Sequence, residues 1–276
     1  MRRLVTSALA TVAIAFTCGG HARADEPDLR HDVAVDGAVT GSGAALWIAG
    51  ELAAGSIVKS CRWCDRASNG ADTLNGFDRG IRNSLRWSST GTADLLSSIG
   101  AIALAPLAAF GGDALLASRD ERTPNFWVDA LIIAEATVLA VDVSELVKLA
   151  TARQRPYAHF AADSTSAAGA NLSFFSGHTT LAFALASSAG TVATMRGYRH
   201  AWIVWAAGMA IATATGYLRI AGDQHYATDV VTGAAVGGAI GVGVPLLFHR
   251  PRAADIADVP SVQLVIGSQL GVGGTW

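Results

Sequence analysis

The sequence is poor in charge and in cysteine. Charged residues make up 15% of it, acids and bases nearly cancel to a net charge of -2, and no block of basic residues interleaves with aromatics. A chain without such a patch has no electrostatic means of holding a phosphodiester backbone, so nucleic acid is excluded as a partner. The cysteines are Cys18, Cys61 and Cys64, which leaves no second ligand pair for a zinc site. No internal repeat and no low-complexity tract is visible. What is abundant is alanine and glycine within a 51% hydrophobic composition, which suits closely packed helices more than a β-rich core.

At 276 residues the chain holds one sizeable domain and shows no second catalytic module. Arg2 and Arg3, the apolar run Leu4 to Phe16 and the small-residue site Ala22-Arg23-Ala24 have the pattern of an export signal ending before Asp25. The expected organisation is a signal peptide over 1–24, an exported leader over 25–92, a helical catalytic bundle over 93–250 and a C-terminal tail over 251–276. Cys18 falls in the signal, after residues too bulky or polar for a lipoprotein site. In an exported chain the remaining Cys61-Arg-Trp-Cys64 reads as a local disulfide before it reads as a reactive dithiol. Residues 25–40 are polar and read as extended. Gly41 to Val58, dense in glycine and interrupted by Glu51, reads as a weak span or a helix lying at the membrane interface. Arg79, Arg82 and Arg86 recur at helical spacing with Ile81, Leu85 and Trp87 between them. That pattern fits either a helix at a lipid surface or one packed on the bundle.

Five apolar stretches follow: Ala93 to Leu116, Phe126 to Val147, Phe174 to Met195, Ala201 to Ile220 and Tyr226 to Phe248. Each is near the roughly twenty residues that a bilayer crossing needs. The expected fold class is all-α, a membrane-embedded helical bundle with its active site at one end. Asp113, Asp129, Glu135, Asp142 and Glu145 argue instead for a soluble periplasmic bundle, since a charge at a bilayer centre costs roughly 2.5–3.5 kcal/mol on insertion scales. The arginine pairs Arg119/Arg122, Arg196/Arg199 and Arg250/Arg252 all fall at one end. The positive-inside rule puts that end in the cytoplasm and the other end outside a bacterial inner membrane, facing the periplasm. With a cleaved signal, this orientation requires that Gly41 to Val58 does not cross. The tail from Ser261 alternates loosely, as a strand or hairpin would.

Three polar segments share the other end of the expected bundle. His225 and Asp229 are four apart and share a face of a helix beginning near Gln224. The carboxylate can then take the proton of one ring nitrogen and leave the other as nucleophile or base. Arg219 adds a planar fork for an anion. Lys148 and Arg155, seven apart, project from one face where their helix ends before Pro156. Ser176 and Gly177 open the next run, where helix N-terminal N–H groups favour an anion and glycine lets it approach; His178 follows. Lys148, Arg155 and Arg219 make a cationic cup suited to a phosphoryl group. His225 would attack phosphorus and His178 would protonate the leaving alkoxide. No cofactor is needed, and three nearby cations would repel a metal ion. Arg153 and Asp223 are placed to tune the site, while His159, His200 and His249 match no motif and are expected at the surface.

Lys148 with Arg155-Pro156 seven residues on, then Ser176-Gly177-His178, then Arg219, His225 and Asp229, resemble in order and spacing the type-2 phosphatidic acid phosphatase and vanadium haloperoxidase superfamily. The resemblance runs from Lys148 to Asp229. Phe175 stands where that family usually has proline, and Leu218 where it usually has serine. The resemblance implies a phosphomonoesterase of the acid-phosphatase type, hydrolysing a lipid phosphate or diphosphate through a phosphohistidine on His225, with a membrane as its surroundings. It also leaves room for a soluble periplasmic acid phosphatase and for a haloperoxidase holding vanadate on His225. A non-catalytic anion-binding membrane protein is the reading from another class. Nothing in the sequence sets an oligomeric state.

Overall fold

The computed structural model describes residues 28–161, 169–251, 261–265 and 271–275. The expected signal peptide, Cys18 and Arg252 lie outside these residues. In chain order the helices are α1 (Val33–Ile57), α2 (Gly76–Leu85), α3 (Thr90–Ile99), α4 (Gly112–Arg119), α5 (Phe126–Thr151), the short α6 (Pro156–His159), α7 (Gly177–Met195), α8 (Ala201–Ala221) and α9 (Ala227–Phe248). Two π-helical segments join α3 to α4, so Thr90 to Arg119 runs as one rod. All five apolar stretches are therefore helical.

The boundaries follow from local chemistry. Asp32 caps α1, its carboxylate accepting the N–H groups of Ala34 and Val35 at 3.0 and 3.1 Å, and Asp36 returns the favour to the Asp32 N–H at 2.8 Å. Asn75 caps α2 through the Asp78 N–H. The α5 helix stops where Ala152 takes a left-handed conformation, φ 45°, and Pro156 then opens α6.

Helix α7 sits at the centre, packed on α5, α8 and α9. Its seam with α9 is made by Gly233, Gly237 and Gly241, one per turn. A Cβ on Gly237 would stand 2.4 Å from the Thr180 carbonyl oxygen, and one on Gly241 2.7 Å from that of Ala184. Only glycine lets the two backbones meet so closely, the small-residue packing common between membrane helices. Ile132, Ile133 and Val141 of α5, Leu181 and Leu185 of α7 and Val204 of α8 fill the main core between those helices.

Four rods, α1, Thr90–Arg119, α8 and α9, are long and apolar enough to cross a membrane. Large apolar side chains stand exposed on them, among them Leu52, Ile102, Leu107, Trp202, Val231 and Leu247. The acids that argued for a soluble bundle are turned inward: Asp113, Asp129, Glu135, Asp142 and Glu145 are all buried. Asp129 accepts bonds from Arg196 and Tyr198, Glu135 faces His249 and Glu145 holds Lys148. An apolar exterior over a charged interior is the build of a membrane protein.

Three expectations are corrected. The segment read as an extended leader is helical from Val33, and α1 does not lie flat. It runs beside α5 in the same direction, with Asp36 near Glu135, Gly43 against Val138 and Asp142, and Glu51 by Lys148. Two of its glycines, Gly43 and Gly50, which weakened the sequence signal, are where it touches α5. Arg196 is a buried partner of Asp129, not an exposed cation, so that arginine pair contributes one charge fewer to the topology signal. His159 and His249 are buried rather than at the surface. The tail forms an antiparallel hairpin of β1 (Ser261–Val265) and β2 (Gly271–Thr275), with Ser261 opposite Thr275.

Candidate active site

The C-terminal ends of α5 and α8 and the N-terminal ends of α7 and α9 meet at one end of the bundle, and each delivers part of the predicted set. Lys148 lies in the last turn of α5 and Arg219 in the last turn of α8, while Ser176 caps α7 ahead of Gly177 and His178. A Cβ on Gly177 would lie 2.6 Å from Lys148 Nζ, so the glycine leaves room for the ammonium at the start of α7. Arg155 is braced by the Gly169 carbonyl at 2.9 Å and Gln224 Oε1 at 2.8 Å. Arg219 is held by Asp94 and by Ser97 Oγ at 3.0 Å, and its buried Nε has no partner. Lys148, Arg155 and Arg219 act electrostatically on both His178 and His225. Three cations, one of them Arg219 with its unpartnered buried Nε, and the first N–H groups of α7 converge where an anion would sit.

His225 is buried and lies in the turn before α9, whose N-cap is Tyr226. It is therefore not on the helix with Asp229, and the bond predicted between them is replaced by another. His225 Nδ1 donates to the Ser173 carbonyl at 2.7 Å, while the nearest Asp229 oxygen stands 3.7 Å away. A carbonyl only accepts, so the proton is on Nδ1 and the Nε2 lone pair is the reactive one. Burial first, then Arg155, Arg219 and Lys148, hold the imidazole pKa well below its ordinary value, which keeps the ring neutral. Asp229 acts one step removed: its carboxylate accepts from Ser173 Oγ at 2.6 Å, from the Tyr226 N–H at 2.9 Å and from Arg153 at 2.6 Å. It fixes the strand of chain that offers the carbonyl.

Arg153, expected only to tune the site, is its hub. Fully buried, it also bonds Asp78 at 3.0 Å, Asp65 at 3.2 Å and Thr228 Oγ1 at 2.9 Å, and it lies 4.3 Å from the ring centres of both Trp63 and Tyr226. Burial alone would raise the Asp78 pKa; the Thr228, Asn75 and Arg153 bonds outweigh it and hold the carboxyl below its ordinary value. Cys61 and Cys64 form a disulfide, and the loop they close pairs Trp63 with the Arg153 strand. On the other side Arg82 of α2 and Arg86 just after it clasp Asp223 at 2.6 to 3.0 Å, and Arg79 pairs with Asp72. The arginines of α2 thus pack on the bundle. His159 Nδ1 donates to the Cys64 carbonyl at 3.1 Å.

Beside His178 a cavity of about 260 Å³ opens between α1, the Thr90–Arg119 rod, α5 and α7. Far from it, Asp36, Glu135 and His249 bring donor atoms within 4.8 Å of one another, the one group among the described residues that could hold a metal ion. Glu135 is thirteen residues before Lys148 on α5, about 20 Å by helical rise, so this group is no part of the site. His249 Nδ1 donates to the Arg30 carbonyl at 2.8 Å there, tying the start of the described chain to the end of α9.

The structure brings Lys148, Arg155, Ser176, Gly177, His178, Arg219 and His225 together and sets Asp229 behind them. Ser173, Asp94, Asp78 and Glu145 were missed; Ser173, Asp94 and Glu145 each partner a motif residue, Asp78 partners Arg153, and only Glu145, one helical turn before Lys148, carried a local signal. Phe175, in place of the family's proline, is buried with its carbonyl accepting from Ser144 Oγ at 3.3 Å.

The sequence matches no curated protein. Among solved structures it is similar to the transmembrane PAP2 type phosphatidylglycerolphosphate phosphatase from Bacillus subtilis, at 18% identity over 73% of this chain and 93% of that one, with a TM-score of 0.43. Residues 129–253 match the family model of the PAP2 superfamily, a span that runs from Asp129 in the first turn of α5 past the end of α9 and takes in every motif residue. Over this segment, a little under half of the chain, the sequence is thus similar to the PAP2 superfamily.

Proposed function

We propose that the protein is a membrane phosphatase that removes the phosphate of a lipid phosphate through a phosphohistidine on His225. The observation that carries this reading is a neutral, buried imidazole anchored through Nδ1 by the Ser173 carbonyl and surrounded by Lys148, Arg155 and Arg219. An imidazole beside three cations is a poor structural device and a good nucleophile toward a bound phosphate dianion. In the proposed first step the His225 Nε2 lone pair forms a bond to phosphorus as the bond to the ester oxygen breaks, and His178 gives its proton to that oxygen. The dianion's charge offsets the three cations, the condition under which His178 holds the proton it donates. In the second step water, relieved of a proton by His178, breaks the phosphorus–nitrogen bond and releases inorganic phosphate. The three cations and the α7 N–H groups stabilise the charge on the equatorial oxygens in both steps. The apolar exterior and a cavity with apolar walls next to His178 support a lipid substrate.

On this reading the site faces the periplasmic side of a bacterial inner membrane. The disulfide lies at the site end, while Arg119 and Arg199 bracket the far ends of α4 and α8. Because α1 runs parallel to α5, an outward-facing site leaves the start of α1 inside when the four apolar rods cross together with α5 and α7. This reading drops the cleaved export signal. The test of function is turnover of purified protein on phosphatidate, phosphatidylglycerol phosphate, an isoprenyl diphosphate and a soluble aryl phosphate, with and without detergent. Preference for the lipid esters, lost in His225→Ala, supports the reading; turnover that survives His225→Ala contradicts it.

A further inference from the structure

The cavity beside His178 has two kinds of lining. Trp47, Ile102, Val141 and Leu181 make apolar walls, and two carboxylates, Glu51 from α1 and Glu145 from α5, stand with them next to His178. His225 is not among the lining residues. An in-line displacement by His225 expels the alcohol on the opposite side of phosphorus, toward the acid His178, so on the reading above this cavity receives the leaving group.

The carboxylates are the unexplained feature, since a phosphatase gains nothing by placing negative charge beside an incoming dianion. In the structure one ammonium serves both. Lys148 Nζ bonds Glu145 Oε1 and lies 3.7 Å from Glu51 Oε1. Once the phosphate draws on Lys148, two carboxylates and a dianion face one another across a small space. A hydrogen-bond donor between them removes that conflict, and the walls around them accept only hydrocarbon.

We propose that Glu51 and Glu145 select the leaving alcohol: an amphiphile carrying a hydroxyl or ammonium on the carbon next to the ester carbon, with its tail along the apolar walls. Glu51, whose side chain is 56% exposed, can swing to the donor, whereas Glu145 is fixed by Lys148. This inference rests on the assignment of His178 as the leaving-group acid.

The test compares kcat/KM of the purified full-length protein for plain dodecyl phosphate with its analogues bearing a hydroxyl or an amine on the carbon next to the ester carbon, in one detergent. A donor-bearing ester should be favoured by roughly tenfold or more, the size of one charge-assisted hydrogen bond. Glu51→Gln should bring the ratio close to unity, and Glu145→Gln should lower it as well. Equal kcat/KM for all three esters in the wild type, or a preference that survives in both variants, would overturn the inference while leaving the phosphatase intact. Failure to hydrolyse any of the three would instead remove the phosphatase reading itself.

Discussion

Replacing Arg153 by methionine tests how the nucleophile is held. The guanidinium is fully buried and bonds Asp229 and Asp78, both fully buried, and Asp65. Removing one partner of a buried ion pair costs about 3–5 kcal/mol, because the charge left behind has lost its water as well as its partner. Asp229 would keep the Ser173 hydroxyl and the Tyr226 N–H, and Asp78 would keep Asn75 and Thr228, which favours the lower end of that range. At about 2–4 °C per kcal/mol for a domain of this size, Tm should fall by roughly 6–12 °C. Tryptophan fluorescence on heating in detergent reads this directly, with Trp63 stacked on the substituted side chain. If Arg153 positions the Ser173 carbonyl, kcat should fall well below wild type at temperatures where the variant is folded, with KM little changed. Arg153→Lys should recover only part of either quantity, since one ammonium cannot span three carboxylates. A fall of under about 2 °C, below 1 kcal/mol by the same conversion, with unchanged kcat would refute the reasoning.

Further outcomes follow from the same geometry. The folded pKa of His225 is depressed, so below about pH 6.5 the unfolded chain takes up a proton that the folded one refuses. Stability is fully present above that pH and falls as pH drops toward the folded value, by up to about 1.4 kcal/mol per unit; chemical denaturation of wild type and His225→Gln should differ by this slope, and parallel curves would contradict a buried neutral ring. Gly237→Ala puts a methyl 2.4 Å from the Thr180 carbonyl oxygen and should cost about 1–3 kcal/mol as overpacking, with activity reduced because α7 and α9 carry the site; a neutral effect in thermal unfolding would mean the seam is looser than described. Cysteines introduced at the exposed Ser68 and Ser88, in a background without Cys61 and Cys64, should react with an impermeant thiol reagent in intact spheroplasts, and one at Gly197 only after permeabilisation. The reverse pattern would place the site inside.

The sequence carried the site's charged atoms because they sit in short linear motifs at helix ends, where polar residues interrupt apolar runs. It carried the helices for the same reason: Phe126 to Val147 and Tyr226 to Phe248 are apolar over the length of a crossing. What it did not carry is pairing across long separations. Arg153 finds Asp78 and Asp65 some eighty residues away, Arg219 finds Asp94, and Arg196 finds Asp129. The four-residue spacing of His225 and Asp229 misled because the helix starts at Ala227, one turn of loop geometry later than periodicity alone implied. Helix α1 was underread because Gly43, Gly50 and Glu51 weaken an apolar pattern, although each of them faces α5 in the bundle.

The central claim is a covalent phosphoryl group on His225. Mixing enzyme with a radiolabelled phosphate ester that has a good leaving group, quenching in alkali within the first turnover and mapping the peptides reads it directly. The account predicts label on the peptide containing His225, absent in His225→Ala and retained in His178→Ala. Label on another residue, or full turnover in His225→Ala, would contradict it.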